Sequence, residues 1–75
     1  MMTDEKFPVI LYLNVKSVIS LIVANENIAE LEAIDNFYNS TTYALLSDEK
    51  TKYWWFSAEA LYDDYVMRKA GESNE

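Results

Sequence analysis

The chain contains neither cysteine nor histidine, and only one glycine and one proline. Each absence removes a class of chemistry. Without a thiol there is no disulfide to staple a small fold and no thiolate nucleophile. Without imidazole there is no side chain that ordinarily titrates near neutrality, and zinc lacks its usual nitrogen and sulfur ligands. A lone glycine, Gly71, is too few for a phosphate-cradling loop. Glu59 and Asp63 stand one helical turn apart with Asp64 beside them. An outward helix face with an acidic start accounts for these three without a ligand. The sequence therefore points to no catalytic residue, no cofactor and no metal, and to a chain that is not an enzyme.

Basic residues are also scarce, 6 against 13 acidic ones, for a net charge of -7. From Ser17 through Glu49 there is no Lys or Arg, while Glu26, Glu30, Glu32, Asp35, Asp48 and Glu49 fall inside that stretch. Nucleic acid is excluded as a natural partner, because Lys and Arg contacts to phosphate supply most of such binding. A basic protein suits the surface better. The plain reading of the acids is a solvated face that keeps the chain soluble.

The apolar run from Val9 to Ala24 is too short for a membrane span and is interrupted by Asn14, Lys16, Ser17 and Ser20. Asp4 and Glu5 stand where a secretory signal carries positive charge. The expectation is a cytoplasmic protein with no membrane partner.

What the chain does have is aromatic surface. Nine of its eleven aromatic residues lie between Phe37 and Tyr65, including the run Tyr53-Trp54-Trp55-Phe56. Seventy-five residues make one domain, 1–75, near the size at which burial only just offsets chain entropy. A hydrophobic fraction of 51% is a great deal for so small a body to hide, so self-association, most simply as a dimer, is expected.

The pattern reads as all-α, a small three- to four-helix bundle with a short extended aromatic connector before the last helix. Residues 1–6 and 72–75 are expected to be frayed. Helix one is expected from Pro8 to Asn25, with Leu11, Val15, Val18 and Ile22 on one stripe. Its β-branched content makes a strand the rival reading, but no turn residue divides the run. Asn27 with Glu30 reads as a cap opening helix two, whose stripe is Ile28, Leu31, Ile34 and Tyr38. Ser40 caps a short helix over 41–46, and Ser47–Thr51 is a polar turn. Ser57 caps the last helix, which buries Ala58, Leu61, Tyr62, Tyr65 and Val66, turns Glu59, Asp63 and Asp64 outward, and stops at a left-handed Gly71.

In an extended connector Trp54 and Trp55 point to opposite sides, so one ring enters the core and the other meets solvent or a partner. Candidate partner-binding residues are therefore Tyr53, Trp54 and Trp55, with Glu30, Glu32 and Asp35 as the acidic counterpart. A packing that buries both rings is the competing reading. The order Phe37-Tyr38-Asn39-Ser40, Thr42-Tyr43, Leu46, then Thr51, Trp55-x-Ser57 and Leu61-Tyr62 resembles a group of short acidic bacterial proteins of unknown function. The likeness covers about 34–65 and brings no catalytic residues with it. It implies a compact helical accessory protein of the kind encoded beside toxin-antitoxin or mobile-element genes.

Two functional readings follow. The first is a non-enzymatic interaction or regulatory protein, self-associating and binding a protein partner, antitoxin-like in its most concrete form. The second is an acidic mimic that occupies the nucleic-acid site of a basic protein, which requires Glu26, Glu30, Glu32 and Asp35 to line up on one exposed face.

Overall fold

The computed structural model describes residues 2–73, with side chains described for residues 6–71. Four α-helices are present: α1, Met2–Glu26; α2, Glu30–Tyr38; α3, Thr41–Leu46; and α4, Ala58–Ser73. The fold is all-α, a small helical bundle, and no strand occurs among the described residues. The Asn14 side chain reaches Trp54 just before α4, and Glu26 reaches Lys69 near the end of α4, so α1 and α4 run parallel.

The core is the meeting place of one stripe from each helix. Val15, Val18, Ile19 and Ile22 of α1, Ala33 and Phe37 of α2, Leu46 of α3, and Leu61 and Tyr65 of α4 are buried together. Phe37 is the hub. Its ring is fully buried and meets Tyr43 and Tyr65 edge-on, with centroids 5.8 and 5.7 Å away. Rings at that separation and tilt place the positive edge of one against the negative face of another.

Several local expectations give way to the fold. Helix α1 begins at Met2, so Pro8 lies inside it and denies the Asp4 carbonyl its helical donor. Residues 2–6 and 72–73 continue helices rather than fraying, whereas the expectation for residues 1, 74 and 75 lies outside the described residues. Asn27 does not cap α2. Its backbone is left-handed, with φ 55°, and its N–H donates to the Val23 carbonyl at 2.9 Å, so it ends α1. Asparagine tolerates that conformation better than most residues. Ala29 takes the cap position of α2 without a side-chain bond. The stripe of α2 is consequently rotated: Ala33 and Phe37 are buried while Leu31 is 80% exposed.

Gly71 does not stop α4. It sits within the helix and has no positive φ. Val66 is exposed and Asp64, expected outside, is half-buried. The two serine caps are where the sequence puts them. Ser40 Oγ accepts from Tyr43 N–H and Ser57 Oγ from Ala60 N–H, each at 3.1 Å.

Helix α1 has 25 residues, about 37 Å of rise, against 40 Å for the long axis of the molecule. Val9, Tyr12 and Leu13 in its first half are exposed. Lys6–Glu26 is long and apolar enough, by length and composition, to cross a membrane. It is a longer segment than the run 9–24 because the helix recruits residues upstream of Pro8. Among the described residues, four of the nine buried apolar ones come from α1. Withdrawing it would open the core it shares with α2 and α4.

Candidate functional site

The aromatic run is coiled, not extended. Between α3 and α4 the chain makes two consecutive 3-10 turns, Glu49–Thr51 and Tyr53–Trp55, joined at Lys52. Lys52 is left-handed, φ 65°, and this reversal separates the turns. Extended backbone returns only at Phe56, with φ -74° and ψ 153°. The reason is a set of short-range bonds that an extended chain cannot make. Asp48 Oδ1 accepts from Lys50 N–H at 3.0 Å, the Thr51 hydroxyl donates back to α3 at the Leu45 carbonyl, and the same oxygen accepts from Tyr53 N–H at 3.2 Å.

Distant residues then fix the second turn. Asn14 Nδ2 donates to the Trp54 carbonyl at 3.1 Å, and Trp54 Nε1 donates to the Glu49 carbonyl at 2.8 Å. Phe7 meets the Trp54 ring edge-on at 5.7 Å. Arg68 Nη2 donates to the Tyr53 hydroxyl oxygen at 3.0 Å. Tyr53 and Trp54 are thereby half-buried structural residues. Trp55 is 71% exposed and Phe56 47% exposed. One indole is half-buried and one is out, so the packing that buries both rings is not formed, and a 3-10 turn rather than an extended chain produces the division.

The acidic candidates lie elsewhere. Glu30, Glu32 and Asp35 are exposed on α2, while the turn packs on α1 and α3. Glu30 and Asp35 are five residues apart, about 140° around the helix, and they look in different directions. Glu30 borders a groove between α1 and α2; Asp35 borders a polar cleft with Asn36, Asn39, Arg68 and Lys69. Glu26 is taken up by Lys69, whose Nζ lies 3.5 Å from Oε1. The single acidic line that a nucleic-acid mimic requires is not formed.

Charge at the end of α4 is shaped by its neighbours. Burial, then Glu26 and Tyr65, hold the Tyr62 hydroxyl above its ordinary pKa. Burial also raises Tyr65, partly offset by Lys69 over its ring. For Lys69 itself burial pulls downward, and Tyr65 and Glu26 outweigh it to leave the ammonium raised. Hydrogen bonds to Asp64 and Tyr53 raise Arg68.

Two supporting residues escaped the sequence reading. Asn14 interrupts an apolar run, and an amide in such a run is itself the signal, since a half-buried polar group calls for a partner. Arg68 lies in the last turns of α4, where a basic residue suits a helix end. Nothing in its spacing announces that it bridges Tyr53 and Asp64.

No family model, curated protein or solved structure matches this chain. The residues and their geometry therefore carry the functional argument alone.

Proposed function

We propose that this chain is a non-enzymatic interaction protein of the cytoplasm that anchors itself to protein partners through the Trp55–Phe56 turn. One observation carries the reading: a tryptophan ring is 71% exposed on a turn held by bonds from α1, α3 and α4. Exposing so large an apolar ring loses burial free energy that a core position would supply. Presenting it on a fixed turn lowers the ordering entropy of docking, and tryptophan dominates among residues that anchor interfaces. The net charge of -7 favours a basic partner and a faster association at low salt.

The test compares the native chain with Trp55→Ala for capture of interacting chains from its own cells. A stoichiometric partner retained by the native chain and lost from the variant supports the reading. Equal capture by both removes Trp55 from the interface and sinks it.

A further inference from the structure

We infer that the outward face of α1 rests on a lipid bilayer, lying in the membrane interface with the rest of the bundle held in water. The inference is independent of Trp55 and leaves that turn to a protein partner. It starts from an imbalance in α1. Lys6–Glu26 is long and apolar enough to cross a membrane, yet only 22% of that stretch is buried in the bundle. A helix that is apolar all round belongs in a large core or in lipid, and the core here takes one stripe of it, Val15, Val18, Ile19 and Ile22.

The opposite side is uncovered along the whole helix. Val9, Leu13, Ser17, Ser20 and Ala24 are all exposed and fall within about 80° of one another around the axis, facing away from the core stripe. Solvated faces ordinarily mix charges of both signs. From Lys6 to Asn25 there is no acidic residue, in a chain that has 13. The two serine hydroxyls can bond back to carbonyls of their own helix, so neither depends on water. Lys6 and Lys16 are the charges of this stretch, and each can lay its stem on apolar surface while lifting its ammonium to the headgroups.

The placement of acid selects the occupant. Glu30, Glu32, Asp35, Glu59 and Asp63 are exposed on α2 and α4, which pack against the core side of α1. A second copy would bring together two bodies of net charge -7, whereas a zwitterionic bilayer has no net charge to repel them. An interfacial helix sinks its apolar face by about 5 to 10 Å, a depth that takes in Val9 and Leu13 and leaves the acidic helices outside. The run 9–24 is too short to span, but a helix lying in the interface needs only an uncovered apolar face.

The experiment is flotation of the full chain with phosphatidylcholine vesicles, for the native protein, Leu13→Asp, Leu31→Asp and Trp55→Ala. Leu13 is 53% exposed and Leu31 80%, so neither aspartate enters the core. The native chain is expected to float with the vesicles at low and at high salt. Leu13→Asp, with native helical circular dichroism, is expected to bind at least tenfold more weakly. Leu31→Asp makes the same change on α2 and, like Trp55→Ala, is expected to float as the native chain does. A native chain that stays in the soluble fraction overturns the inference, as does equal weakening by Leu13→Asp and Leu31→Asp. Flotation lost in Trp55→Ala moves the contact to the turn and overturns it too. So does binding that requires anionic phosphatidylglycerol and disappears in salt, because the contact is then electrostatic. If no vesicle is bound but Leu13→Asp weakens a dimer seen by sedimentation, or loses a protein that the native chain captures, the face belongs to that partner and not to lipid.

Discussion

The Thr42 hydroxyl donates to Asp64 Oδ2 at 3.0 Å, joining α3 to α4 across 22 residues of sequence. Thr42 is fully buried, and the same carboxylate oxygen accepts from Arg68 Nε at 2.8 Å. Arg68 in turn reaches Tyr53, so the polar joint between the helices extends to the turn that presents Trp55. Interhelical packing and the Trp55 turn are linked through one carboxylate.

That linkage makes the two ends of the bond unequal to mutation. Thr42→Val keeps the shape and leaves Asp64 with Arg68, and is expected to cost about 1 kcal/mol. Asp64→Ala strands a buried hydroxyl and removes the charge partner of Arg68, and is expected to cost about 2 kcal/mol or more. Urea unfolding of both variants checks the order. Equal costs would mean that the hydroxyl finds another acceptor within α3.

The two tryptophans are expected to separate stability from association. Trp54→Ala removes the ring that meets Phe7 and the donor to Glu49, and is expected to destabilise the fold by about 2 to 3 kcal/mol. Trp55→Ala removes a mostly exposed ring whose ring contact is with Trp54 at 5.5 Å, and is expected to cost the unfolding free energy of dilute protein no more than about 1 kcal/mol. Acrylamide quenching makes the same division without unfolding. Trp55→Phe should leave only a shielded emitter, and Trp54→Phe an accessible one.

The hub of the core carries the largest single penalty. Phe37→Ala is expected to cost about 3 to 5 kcal/mol, against a total stability on the order of 4 to 11 kcal/mol for a chain of this length. The variant is therefore expected to melt far below the native chain in a calorimetric or circular dichroism scan. Phe37→Leu preserves much of the volume and is expected to remain folded.

Alkaline pH offers a test of the tyrosine environment. Burial raises both Tyr62 and Tyr65, so the folded state favours their neutral forms. A group raised in the fold contributes its stability below its unfolded pKa, about 10 for tyrosine, and loses it as pH rises through the folded value. Stability is expected to hold up to about pH 10 and to fall above it, by linkage. Phenolate absorbance should show Tyr62 and Tyr65 titrating above the ordinary tyrosine value. In a Tyr62→Phe and Tyr65→Phe double variant the fall above pH 10 should flatten.

How much of this was legible follows from where the information lies. The buried stripe of α1 and the caps at Ser40 and Ser57 are local patterns, and they appear in the structure as read. The rotation of α2 was not legible, because it depends on how Asn27 ends the preceding helix and on which of Phe37 and Tyr38 fits the space between Tyr43 and Tyr65. The turn at 53–55 was misjudged for a related reason. Bulky aromatic residues favour extended chain locally, but bonds from Asn14 and Thr51 exist only once α1 and α3 are in place. At the candidate site the presence of one outward tryptophan was readable, whereas the groove between α1 and α2 is a tertiary feature.

The sharpest contrast between local signal and fold concerns the two residues that compete to end helices. Gly71 is the conventional stop, yet it lies inside α4, and a methyl group built on it meets nothing within 4 Å. Gly71→Ala is therefore expected to stabilise the chain by up to about 1 kcal/mol through helix propensity, a rise of about 4 to 8 °C in Tm for a domain of this size. Asn27, at the end of α1, holds the left-handed conformation that Gly71 would need to end α4. Asn27→Ala places a β-carbon there without the compensating amide and is expected to lower Tm by a similar amount. Thermal melts of the two alanine variants decide the matter: opposite signs support the helix boundaries, and a loss of stability in Gly71→Ala would return the stop to Gly71.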